Sequence, residues 1–246
     1  MPAARRWRWI GAAAVVVSAC ASGSPASAPQ TAPVKVQARA QPDSMTWVAK
    51  SVEYRALVAQ TYRAATGRVD SEAPRYAPGT WAVILDSDDT ILNDLQYEQE
   101  RAAAGLGFTQ ESWAAWVRRR TAQPLPGAAA FLAHVRTLGG RIAIVTNRLG
   151  SECDDTIAVF KANDLPFDAM LCRPDGTPSD KNPRFAAVAA GQTDAGRTSL
   201  TIVAYVGDNI LDFPSLSQNL RETDPAFGEF GVRYFVLPNP MYGSWQ

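Results

Sequence analysis

The stretch WAVILDSDDTIL, Trp81 to Leu92, decides the fold. Trp81 to Leu85 are uniformly apolar, which predicts a strand buried on both faces of a parallel sheet. The run then ends in Asp86, Asp88 and Asp89. Like charges this close repel one another, and burial makes each costlier. A core strand with such an end calls for a compensating cation.

Working outward, further strands are predicted at Arg141–Val145, Asp168–Cys172, Thr201–Val206 and Val232–Leu237. Helical patterns lie between them at Ala128–Leu138, Asp154–Ala162 and Pro183–Ala190, and a small helical insertion at about 93–123 follows the first strand. Upstream, TWVAKSVEYRALVAQTYRAATGRV reads as one long helix with Val48, Val52, Ala56, Ala59 and Tyr62 on its apolar face. Strands alternating with helices specify an α/β fold, a Rossmann-like parallel sheet covered on both faces. Polar residues follow three of the strands: Asp86-Ser-Asp88, Thr146-Asn-Arg148 and Gly207-Asp208-Asn209. In open α/β sheets such ends converge on one site.

Oxygen-rich carboxylates suit Mg²⁺, which also accepts substrate phosphate into its shell. Asp86 and Asp208 are natural ligands. An Asp beside such an ion can attack phosphorus to form an aspartyl-phosphate, and Asp88, two residues on, can serve as acid and then base. Thr146 offers a hydroxyl to phosphate. Lys181 precedes a helix that Asn182 would cap and Pro183 would open, where a cation opposes the helix dipole unless an anion is near. Other readings fit less well. An EF-hand loop from Asp86 needs Gly at 91 and Glu at 97, where Ile91 and Tyr97 stand. A receiver domain carries its phosphoacceptor on a later strand.

Lys+Arg and Asp+Glu both number 24, so there is no basic field for a nucleic acid polymer. Arg118-Arg119-Arg120 reads as a solvated helix face. The one histidine, His134, sits in a helical pattern and argues against phosphohistidine chemistry and multi-histidine metal sites. Neither Cys153 nor Cys172 has the Arg six positions on that a Cys-phosphatase needs.

The N-terminus, MPAARRWRWIGAAAVVVSACASG, has a basic start and a short apolar segment, the pattern of a signal peptide. Val17-Ser18-Ala19-Cys20 resembles a bacterial lipobox, which makes residues 1–19 the leader and Cys20 the lipidated residue. Ala21 fits sorting to the outer membrane, and the Arg5-Arg6 pair is compatible with twin-arginine export. Residues 20–44, rich in Ala, Ser, Pro and Gln, read as a disordered tether to a domain at 45–246.

The order Asp-x-Asp, Thr, Lys, Gly-Asp resembles the haloacid dehalogenase superfamily. VEYRALVAQTY, ESWAAWV, PLPGA, VTNR, YVGDNILDF and LPNPMYGSW are similar to the class C acid phosphatases, lipoprotein phosphomonoesterases of which some are 5′-nucleotidases. The resemblance implies a small helical cap, Asp86 as nucleophile, Asp88 as general acid/base, and Mg²⁺ held by Asp86, Asp208 and the Asp88 main-chain carbonyl. It also implies phosphate contacts from Thr146 and Lys181, Asp212 as an acid beyond the ligands, and a base sandwiched by Trp113 and Tyr242. Ser87 and Asp89 depart from the family's usual apolar residue and Glu. Cys153 and Cys172 either form a disulfide or remain free thiols. The expected activity is hydrolysis of phosphomonoesters, with nucleoside 5′-monophosphates as substrates, in the cell envelope. A non-catalytic binding lipoprotein and a phosphotransferase are the alternatives, and oligomeric state is left open.

Overall fold

β1 (Trp81–Leu85) has every residue buried and occupies the centre of a five-stranded sheet. The computed structural model describes residues 41–193, 198–222 and 227–246. Across the sheet the order is β5 (Ala169–Arg173), β4 (Arg141–Leu149), β1, β6 (Thr201–Gly207) and β7 (Tyr234–Val236), every pairing parallel. Alternate residues of β1 face opposite layers, as a strand must place them. Val83 and Leu85 join one core with α2 (Val52–Glu72), α5 (Ala128–Thr137) and α6 (Cys153–Ala162). Ala82 and Ile84 join the other with α7 (Asn182–Ala189).

The chain builds outward from β1 through β4 to β5, then crosses back to β6 and β7 on the far side. That reversal opens a crevice at the carboxyl ends of β1, β4 and β6. Beside it, β2 (Leu92–Asn93) pairs antiparallel with β3 (Gln123–Pro124) and closes off an insertion holding α3 (Leu95–Ala103) and α4 (Gln110–Val117).

The amino-terminal helix differs from its sequence reading. It is two helices, α1 (Asp43–Lys50) and α2, separated at Ser51, whose extended backbone lets its hydroxyl accept the Tyr54 amide at 3.0 Å. The break resets the helical phase. Tyr54, Val58, Tyr62, Ala65 and Val69 are the buried stripe, whereas Val52 is 74% exposed and Ala56 and Ala59 face solvent. Helix also begins at Asp43, within the stretch read as tether. The leader, Cys20 and the rest of the tether lie outside the described residues. β4 runs four residues beyond its predicted end and carries Thr146, Asn147 and Arg148 within the strand.

Cys153, at the start of α6, is bonded to Cys172 on β5. Closing a loop of this size stabilises by about 3 kcal/mol. His134 pairs with Asp70 on the surface at 2.6 Å. Arg119 and Arg120 meet Glu100 and Asp155. Among the described residues no helix is long and apolar enough to cross a membrane.

Candidate active site

The turn after β1 sends its three carboxylates to different partners. Asp86 continues the ladder, its amide donating to the Val206 carbonyl at 3.0 Å, and its Oδ1 accepts from Lys181 Nζ at 2.5 Å. The same ammonium donates to Asp212 Oδ1 at 2.6 Å. Lys181, not Asn182, takes the cap position of α7, with Asn182 and Pro183 as its first two helical residues. Asn182 instead receives a hydrogen bond from Ser215 N and donates to Asp180. The anions that offset the helix dipole at Lys181 are thus Asp86 and Asp212 themselves.

Asp208 follows β6 and completes the group. Its Oδ1 accepts from Thr90 Oγ1 at 3.3 Å and its Oδ2 from Asn239 Nδ2 at 2.8 Å. Carboxylate oxygens of Asp86, Asp208 and Asp212 lie within 4.8 Å of one another. Gly207 permits this closeness: a Cβ there would fall 2.2 Å from that of Asp212. Burial, only partly offset by Lys181, pushes Asp86 up to about 7. Burial, with Asp212 and Asp86 adding to it, also holds Asp208 well above the carboxylate range. Burial disfavours the Lys181 ammonium, yet Asp212 and Asp86 together keep its pKa above the ordinary value. Three carboxylates against one ammonium leave two negative charges to be balanced. Hard oxygen donors with that excess fit a divalent cation such as Mg²⁺. Asp212, expected only beyond the ligands, is close enough to be one.

Asp88 turns the other way. Its Oδ1 accepts from Arg148 Nε at 2.8 Å and Nη2 at 2.6 Å, and Arg148 is almost fully buried. The guanidinium lies 5.4 Å from the Trp113 ring centre and 5.9 Å from that of Trp116. Asp94 is wholly buried 3.7 Å from the same guanidinium, and burial holds its carboxyl well above the usual range. Asp89 adopts φ 45°, a left-handed conformation that Asp tolerates better than most residues, and its Oδ1 accepts the Asp94 amide at 3.2 Å.

Thr146 is buried in β4, its Oγ1 accepting the Arg148 amide at 3.1 Å, and the wall beside it is formed by Asn147 and Arg148. Trp113 and Tyr242 line the same cavity of about 1000 Å³ as Asp86, Asp88, Lys181 and Asp208. Trp113 stacks on Trp116 with ring centres 5.2 Å apart and packs edge-to-face with Tyr97 with ring centres 5.0 Å apart. Cys20 lies outside the described residues.

Sequence reasoning gave no role to Arg148, Asp94 or Asn239. Arg148 was visible as the last residue of Thr146-Asn147-Arg148, a fixed charge at a strand end opposite a carboxylate. Asp94 and Asn239 carried no such signal.

Residues 9–245 match the family described as HAD superfamily, subfamily IIIB (acid phosphatase). The chain belongs to that family. It is a phosphomonoesterase of the haloacid dehalogenase superfamily. The class C acid phosphatase from Bacillus anthracis is similar in fold, with a TM-score of 0.71, 24% identity, and coverage of 82% of this chain and 85% of that one. The same figures hold for that phosphatase with tungstate bound.

Proposed function

We propose that this acid phosphatase hydrolyses nucleoside 5′-monophosphates with Mg²⁺ through a phosphoryl-Asp86 intermediate. The observation that carries the reading is the convergence of Asp86, Asp208 and Asp212, with the Lys181 ammonium on the first and last, beside an Asp88 held by Arg148. Asp86, Asp208, the Asp88 main-chain carbonyl and, by its position, Asp212 would hold the ion. When bound, Mg²⁺ would neutralise phosphate charge and let Asp86 remain ionised.

Lys181 holds Asp86 in place and presents positive charge to the phosphoryl oxygens, with the Thr146 hydroxyl as a further donor. An Asp86 oxygen forms a bond to phosphorus as the ester oxygen leaves, and that oxygen takes a proton from Asp88. Asp88, now a carboxylate, removes a proton from water, whose oxygen displaces Asp86 from phosphorus. Ester and water become alcohol and phosphate, and both aspartates return to their starting states. Trp113 and Tyr242 offer aromatic faces to the base, an interaction that tolerates every base. The sequence of residues 1–20 supports export, acylation of Cys20 and residence at the outer membrane, which loss of acyl labelling in Cys20→Ser would test.

Phosphate release is to be measured from nucleoside monophosphates, sugar phosphates and an aryl phosphate, with Mg²⁺ and with EDTA. Metal-dependent release favouring nucleotides, abolished in a folded Asp86→Asn variant, is the expected result. Full activity in that variant would refute the nucleophile. Equal rates on every ester would refute the base site.

A further inference from the structure

Outward from Trp113 the cavity continues along an apolar shelf. Between α3 and α4 the chain reads Ala104-Gly105-Leu106-Gly107-Phe108. Leu106 is 54% exposed and Phe108 62% exposed, and both line the cavity. Adjacent large apolar side chains in water forgo roughly 25 cal/mol for each Å² left uncovered, and such patches mark contact sites. Pro42 and Met45, at the start of α1, and Ala102 of α3 extend the same wall.

The shelf is held in place. Arg101 donates from Nε at 2.8 Å and Nη2 at 2.6 Å to the Gly107 carbonyl. Thr109 and Ser112 form a reciprocal cap at the start of α4. The Phe108 ring centre lies 6.3 Å from that of Trp113 and 6.4 Å from that of Tyr97, the latter pair edge-to-face. Phe108 therefore prolongs the aromatic wall that starts beside Arg148 and ends at solvent.

Its chemistry restricts the occupant. Leu106, Phe108, Met45, Pro42 and Ala102 offer no side-chain donor or acceptor to a sugar or a base edge. Arg101, which lines the cavity beside the shelf, has its Nε and Nη2 committed to the Gly107 carbonyl. A cavity of about 1000 Å³ is also at the top of the range of roughly 300–1,000 Å³ for small-molecule sites. The phosphoryl end is fixed at the strand ends, and the shelf lines part of the volume that remains.

We propose that the Leu106–Phe108 shelf is a subsite for the alkyl tail of an amphiphilic phosphomonoester, of the long-chain alkyl phosphate or monoacylglycerol phosphate class. The inference rests on the hydrolytic reading of Asp86 and adds a substrate class to it. The tail lies along Phe108 and Leu106 while the phosphoryl group sits between Lys181 and Asp86.

The test is kcat/KM for straight-chain alkyl phosphates from ethyl to dodecyl, kept monomeric, using the mature chain with Cys20→Ser so that no detergent is needed. Cover from one side predicts about a two-fold rise per added CH₂, roughly 0.4 kcal/mol each and half that of full methylene burial. The double variant Leu106→Ser, Phe108→Ser should flatten this slope and leave ethyl phosphate unchanged; both residues are exposed loop positions. Phe108→Leu should keep the slope. A flat wild-type profile, or a slope that survives in the double variant, overturns the subsite. So does an unchanged slope in monomers accompanied by lost binding to anionic phospholipid vesicles, which would make the shelf a membrane contact. Absence of turnover on every ester, ethyl phosphate included, would overturn the hydrolytic reading and the subsite with it.

Discussion

Arg148→Met is the substitution from which most can be learned. The guanidinium is 1% exposed at its side chain and meets Asp88 Oδ1 through two nitrogens, at 2.6 and 2.8 Å. Removing one member of a buried pair strands the other and costs about 3–5 kcal/mol. Two features place this site at the lower end. The Asp88 side chain is 17% exposed, so water screens the abandoned charge in part. Asp94, 3.7 Å away, has its carboxyl pushed up by burial and so adds little new charge. A loss of about 3 kcal/mol is expected, which for a fold of this size lowers Tm by roughly 6–12 °C. Thermal unfolding followed by near-UV circular dichroism measures it. Activity should fall by about 10²-fold, since Asp88 loses the group that aims it. The decisive comparison is a double-mutant cycle with Asp88→Asn. In the Arg148→Met background that second change should cost little or restore stability, because no unpaired carboxylate remains. A Tm within 2 °C of wild type, or strict additivity of the two losses, would refute the pairing argument.

Two further outcomes follow from the acidic group. Burial raises Asp86 and Asp89 to about 7 and holds Asp94 and Asp208 well above the ordinary carboxylate value, so the metal-free folded chain binds more protons than the unfolded one. Stability from these groups is complete below the ordinary carboxylate pKa and is lost as pH rises through about 7. EDTA-treated protein should therefore melt lower at pH 8 than at pH 5, and Mg²⁺ should raise Tm more at pH 8; a flat or opposite trend would count against an uncompensated acidic site. Gly207→Ala places a Cβ 2.2 Å from Asp212 Cβ and 2.5 Å from its Oδ2. Asp212 must then leave Lys181, so metal affinity by calorimetric titration and kcat should both drop by at least ten-fold, and wild-type values would refute the crowding.

Much of this was legible because the central strand is an extreme case. Trp81–Leu85 is buried on both faces, and only a central parallel strand reads as an unbroken apolar run that then delivers charge. The same logic found the polar residues carried by β4 and β6, though β4 runs past them to Leu149. It failed at the amino-terminal helices, where one phase carried through two helices put Val52, Ala56 and Ala59 on the buried face. Small apolar residues tolerate solvent at little cost, so the stripe is better read from the large residues Tyr54 and Tyr62. The break at Ser51 is a single capping hydroxyl, invisible to periodicity. At Lys181 the clash with the helix dipole is a mild local signal, and the resemblance in motif order carries its assignment. Arg148 was not assigned, because its role depends on a carboxylate 60 residues away. Asn239 likewise acts on Asp208 from a coil segment with no periodicity to read.

The three carboxylates that close β1 are tolerable only because each is compensated from a different part of the chain. Asp86 is met by Lys181, 95 residues on, Asp88 by Arg148, 60 residues on, and Asp89 by the Asp94 amide. The first two partners arrive only when α7 and β4 have docked against β1. Before that the turn carries concentrated negative charge on a strand that must be buried, so neither burial nor metal binding is favourable alone. The site cannot be preassembled on a fragment: a chain ending after α4 keeps every carboxylate of the opening stretch and neither cation. Such a piece retains the strongest sequence motif in the protein and lacks its charge balance, since the cations that meet Asp86 and Asp88 are a property of the closed sheet.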